Sequence, residues 1–85
     1  MFGSLDNGET QKAAMFYVTE YEDDDSKIRT QQFGCDLAKA RRRARYLSRK
    51  DHSLMVYVVA CTHEDRVGAE AFAYGRRDHV EGKIV

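Results

Sequence analysis

The chain has 85 residues, with 14 Lys and Arg balanced by 14 Asp and Glu; 42% of its residues are apolar and 33% are charged. That length supports one core, burying about 60–65% of the surface an unfolded chain exposes, and zero net charge with ordinary apolar content excludes wholesale disorder. The longest apolar run, Leu54–Cys61, has eight residues, far short of the ~20 that span a bilayer, and Met1–Asp6 lacks the basic-then-apolar build of a secretory signal; the expectation is a cytoplasmic protein with no membrane association.

Residues 1–12 are polar, carry no helix or strand period, and read as a mobile N-terminal tail ahead of a single domain over 13–85. Ala14–Tyr21 is rich in aromatic and β-branched residues and predicts a strand. Glu22–Ser26 predicts a turn, because Asp and Ser bond their own backbone two residues on. Lys27–Phe33 alternates and pairs with the first strand as a hairpin. Gly34 breaks it, and Asp36 is suited to cap a helix running to Lys50. Leu37, Ala40, Ala44 and Leu47 recur at 3-4-3 spacing, which makes a thin, Ala-rich apolar stripe. The basic pair Arg49-Lys50 complements the C-terminal dipole, and the helix is expected to end near Asp51–Ser53.

Leu54–Cys61 predicts a strand with both faces apolar, the signature of burial on two sides. His63–Arg66 reads as a turn, Gly68–Tyr74 as a fourth strand, Gly75–Asp78 as another turn, and Val80–Val85 as a short fifth strand interrupted by Gly82. The fold expected is therefore α+β, in the order β-β-α-β-β with a further terminal strand. It is an antiparallel sheet with one basic amphipathic helix packed on one face. One helix covers one face only. The other face must be covered by the N-terminal tail, the C-terminal segment or a second copy of the chain, and a homodimer is the reading adopted. Tyr17, Met55, Tyr57 and Val59 are the residues expected at that contact.

Two charge runs stand out. Seven basic side chains fall within Lys39–Lys50, and five carboxylates within Glu20–Asp25. On the helix 36–50, Lys39, Arg42, Arg43, Arg49 and Lys50 lie away from the apolar stripe, with Tyr46 among them. Cations that track phosphates around an aromatic that stacks a base are one way to hold a nucleic-acid strand. A solvated helix face, or one neutralised by the acidic hairpin, accounts for the same residues, and no helix-turn-helix, zinc-finger or RNP-type motif is present.

The acidic run lacks the spaced ligands, central Gly and final Glu of an EF-hand, and reads as a solvated turn that also discourages edge pairing. Cys61, His63 and His79 are too few for a structural zinc site. Cys35 and Cys61 could form one disulfide at most, fewer than a small secreted scaffold carries, so both are expected as thiols. Cys35–His52 and Cys61–His63 are conceivable nucleophile–base pairs, but nothing in the sequence orients the base. The expectation is no metal, no cofactor and no catalytic constellation. The function read from the sequence is a small interaction or structural module that self-associates through a sheet face, with nucleic-acid binding by the helix 36–50 as the alternative.

Overall fold

The computed structural model describes residues 15–84. The expected tail, residues 1–12, lies outside them. Six elements follow in the order β-β-α-β-β-β: β1 (Phe16–Glu22), β2 (Ile28–Gln32), α1 (Leu37–Lys50), β3 (Val56–Cys61), β4 (Arg66–Ala73) and β5 (Arg76–Gly82). The strands form one antiparallel sheet in the order β2-β1-β3-β4-β5, and α1 packs on one face of it. This is a small α+β domain.

Local chemistry sets each junction. In the β1–β2 turn, Oδ1 of Asp23 accepts from the backbone N–H groups of Asp25 (2.9 Å) and Lys27 (3.0 Å). Asp36 caps α1, its side chain accepting from the Lys39 N–H at 3.0 Å. At the other end the Asp51 N–H donates to the Leu47 carbonyl, and the Asp51 carboxylate accepts from the Ser53 N–H and hydroxyl. The ordinary value of the Asp51 carboxyl is lowered chiefly by the Ser53 hydroxyl, then by the Ser53 N–H.

The core lies between α1 and the sheet. The register pairs Tyr17 with Ala60, and Thr19 with Val58. Across the next ladder, Val58 stands opposite Glu70 and Val56 opposite Phe72. These residues share one face, under the stripe Ala40, Ala44 and Ser48, all buried. Alanine at both contact positions lets the helix approach closely enough for the Thr19 hydroxyl to donate to the Ala40 carbonyl at 2.8 Å. Phe72 supplies the bulk that the alanines lack, and Ile84 closes the cluster from the C-terminal segment. That segment is held by the Lys83 N–H donating to the Val67 carbonyl. Gly68 makes this possible, because a Cβ there would collide with the Lys83 carbonyl.

Two features of the C-terminal half depart from the sequence expectation. The β4–β5 turn is Tyr74-Gly75, not Gly75–Asp78; both residues have positive φ, 56° and 77°, the signature of a two-residue type I′ hairpin turn. β5 consequently runs through Arg76, Arg77 and Asp78, and it ends at Gly82, where φ is 68°. A bulge in each of the two ladders of β4 also breaks the alternation. Cys61 pairs with Arg66 while Ala60 pairs with Gly68, leaving Val67 as the extra residue. Phe72 pairs with Arg77 while Ala71 pairs with His79, leaving Asp78. Each bulge re-aims one arginine: Arg66 turns to the face without the helix, and Arg77 turns towards the helix.

Candidate nucleic-acid interface

The arginines of α1 divide by their angle around the helix. Arg41 and Arg45 flank the buried stripe on the β4–β5 side. Arg41 forks onto Glu70, Nε to Oε1 at 2.8 Å and a terminal nitrogen to Oε2 at 2.7 Å. Arg77 reaches the same Oε2 at 2.9 Å. The Glu70 side chain has 0% exposure. Burial pushes its carboxyl up, but the hydrogen bonds from Arg41 and then Arg77 outweigh this and hold it below the ordinary value. Arg45 lies over the Phe72 ring, 5.6 Å from its centroid. Both side chains are occupied in fixing the helix to the sheet.

Lys39, Arg42, Arg43, Arg49 and Lys50 are exposed, as is Tyr46, and the stem of Arg49 passes beside Gly75 of the β4–β5 turn. No ion pair joins these five cations to a carboxylate among the described residues. No carboxylate of the acidic hairpin reaches them as an ion pair. Asp23 binds Arg29 of its own hairpin at 2.6 Å, and Glu20 meets Arg66 at 3.5 Å. The Asp23 carboxyl is lowered chiefly by the Lys27 backbone N–H and then by the Arg29 side chain. Tyr46, 46% exposed, lies between two of the free cations, with the Arg43 guanidinium 5.5 Å and the Lys50 ammonium 5.7 Å from its ring centroid. The helical spacing i, i+3 and i+7 stacks the three side chains along one side of the outer face.

Arg43 also borders a groove between α1 and the outer strand β2. Its lining includes Tyr21, Arg29, Gln31 and Leu47, and its volume is about 160 Å³. The groove exists because α1 sits over β1, β3 and β4 and leaves β2 uncovered; every residue of β2 is exposed. The sequence reading did not include it. Arg29 and Gln31 share the helix-side face of β2 through their pairing with Tyr21 and Thr19, which is a matter of register between strands and has no local signature.

The residues expected at a dimer contact do not form one surface. Met55, Tyr57 and Val59 lie on the helix-free face, together with Phe16 and Val18 of β1, because Val18 pairs with Val59 and Phe16 with Cys61. Tyr17 belongs to the opposite face and is buried in the core under α1. The one-residue alternation of β1 sends it there. On the helix-free face Phe16, Met55 and Tyr57 are exposed, but Val59 is only 4% exposed. Glu20 is on β1 and Arg66 on β4, so their ion pair spans β3 on this face, from the level of Cys61 to that of Tyr57. Val59 sits beneath the span.

Cys61 and His63 line an open pocket of about 330 Å³ with Phe16 and Val18. No hydrogen bond joins the two among the described residues. Cys35 is exposed and precedes the helix cap, whereas His52 meets Tyr74 at the far end of α1, with ring centroids 5.0 Å apart and the planes tilted by 59°. The helix therefore separates Cys35 from His52. Among the described residues no three His, Cys, Asp or Glu side chains gather as a metal site, and no helix is long and apolar enough to cross a membrane. Comparison with protein-family models, curated proteins and solved structures returns no significant match to this chain.

Proposed function

We propose that the chain is a nucleic-acid-binding module that holds a phosphate backbone along the outer face of α1. The observation that carries this reading is the row of five cations, Lys39, Arg42, Arg43, Arg49 and Lys50, which lack ion-pair partners among the described residues, while the two paired carboxylates of the acidic hairpin, Asp23 and Glu20, bind Arg29 and Arg66 instead. Tyr46 gives the same face an aromatic surface for a base. The role is one of binding rather than catalysis, and a cytoplasmic location, where nucleic acid and reduced thiols coexist, is part of the same proposal.

The test is fluorescence anisotropy of labelled single-stranded DNA, duplex DNA and RNA over a range of salt. If all five cations contact phosphates, log K should fall with log salt at a slope of about −4.5 on duplex and about −3.5 on a single strand. The double variant Arg42→Glu/Arg43→Glu should lose binding and keep its circular dichroism spectrum, because both side chains are exposed. Flat titrations with all three probes at low salt would sink the reading. Competition by polyglutamate as effective as that by the oligonucleotides would reduce the face to a general polyanion surface.

A second reading, self-association through the helix-free face, is favoured by the exposed apolar side chains Phe16, Met55 and Tyr57. It ranks lower because a partner there must bury or displace the Glu20–Arg66 span, and burying an ion pair costs more than it returns unless new partners replace water. Sedimentation equilibrium decides it: wild-type dimers and Tyr57→Glu monomers are expected, and monomeric wild-type protein at high concentration would refute the dimer.

A further inference from the structure

We infer that the groove between α1 and β2 receives one unpaired base, so that the ligand of the basic face is single-stranded nucleic acid rather than duplex. The inference rests on the nucleic-acid reading of α1 and goes further by naming the substrate class. Its starting point is Arg43. That guanidinium belongs both to the outer row, lying over Tyr46, and to the groove rim. A phosphate backbone that follows the outer face is therefore led to the groove mouth by the same side chain.

The groove has the chemistry a base requires. Tyr21 is half-buried, packed against the core cluster on one side and contributing to the groove wall on the other. Leu47 is the apolar wall on the helix side, and Gln31 brings an amide that both donates and accepts. Arg29, its charge paired with Asp23, stands across from Arg43, which has no carboxylate partner among the described residues and makes that side of the rim cationic. An aromatic ring, an apolar wall and an amide are the parts with which proteins hold splayed-out bases by stacking and edge hydrogen bonds. At about 160 Å³ the space is well below the ~300 Å³ where pockets for drug-sized ligands begin, so it suits one planar ring system. A duplex keeps its bases stacked inside the helix, and none could enter without first being extruded at the cost of pairing and stacking.

The experiment compares three labelled probes by anisotropy: an oligothymidylate, an abasic oligomer of the same length, and a duplex of the same length. The abasic strand carries the phosphates without the bases. The oligothymidylate is expected to bind about 5- to 150-fold more tightly than the abasic strand, the range that one base–aromatic stack confers. Tyr21→Leu, which keeps an apolar side chain against the core, should erase that ratio and leave affinity for the abasic strand unchanged. Gln31→Ala, at an exposed strand position, should lower the ratio without altering thermal stability, which separates a role in the groove from a role in folding. Equal affinity for the abasic strand and the oligothymidylate, or tighter binding of the duplex, would overturn the base slot while leaving the phosphate-binding face standing. Failure of all three probes to bind would instead remove the nucleic-acid reading itself.

Discussion

Removing the Arg41 fork should destabilise the domain much more than removing Arg77, although both bind the same carboxylate. Arg41→Met deletes two of the three hydrogen bonds to Glu70 and keeps the aliphatic stem. A hydrogen bond to a charged group is worth about 1.5–3 kcal/mol, and breaking a buried pair costs about 3–5 kcal/mol. Arg41 is itself 24% exposed, and Arg77 remains in place, so the expected loss is about 2–3 kcal/mol. For a domain of this size that is a fall in Tm of about 10–20 °C. Arg77→Met deletes one bond from a side chain that is 52% exposed, and an exposed ion pair contributes about 1 kcal/mol or less. The double variant Arg41→Met/Glu70→Leu should recover much of the loss, because a buried ion pair replaced by packed apolar groups is often neutral. The effect must also depend on pH. The Glu70 carboxyl is held below its ordinary value of 4.5 in the folded state, so its contribution is complete above that value and is lost as pH falls through the folded pKa. Urea unfolding followed by circular dichroism at a series of pH values measures this directly. Equal losses for Arg41→Met and Arg77→Met, or a wild-type-to-Arg41→Met gap that persists unchanged into acid, would refute the account.

Gly68→Ala should destabilise by at least about 1–3 kcal/mol, the usual cost of overpacking, since its Cβ would strike the Lys83 backbone; differential scanning calorimetry checks this, and hydrogen exchange at Lys83 should accelerate with it. An unchanged Tm would mean that the C-terminal segment is not docked beside β4. Asp36→Ala removes the acceptor for the Lys39 N–H and should lower stability by about 1 kcal/mol, whereas Asp36→Asn should cost only a few tenths; thermal melts of the two variants side by side separate capping from a general surface effect.

The elements were legible where a local signal sufficed. The strand aromatics, the Asp36 cap and the Leu37–Leu47 stripe each act within a few residues, and each element appears where its residues call for it. The misreadings arose where the deciding interaction crosses strands. A turn at Tyr74-Gly75 was hidden because Tyr seldom adopts positive φ, and Gly75-Arg-Arg-Asp78 reads more naturally as a loop. The two bulges cannot be seen along one strand at all, since a bulge is a relation between two strands. Alternation puts Glu70 on the same face as Phe72, but only the register places it beneath Arg41 and beside Arg77. Tyr17 was grouped with Met55 and Tyr57 for the same reason, because alternation orders residues within a strand but does not say which face of its neighbour they join.

The basic helix carries two roles that its composition merges. Arg41 and Arg45, at one flank, are committed to Glu70 and the Phe72 ring. Lys39, Arg42, Arg43, Arg49 and Lys50 remain on the outside. A chain with zero formal charge can in this way present a face of one sign, because the acids that form ion pairs do so elsewhere: Glu70 in the core, Asp23 within its own hairpin, Glu20 across the far side of the sheet. Net charge is then a poor guide to what the surface attracts. What counts is which charges have partners, and at an ionic strength of 0.15 M screening over about 8 Å lets a ligand on α1 feel the outer row much more than the acids on the opposite face. The separation also protects the fold from the ligand, since neutralising the outer row leaves the Arg41–Glu70–Arg77 cluster intact.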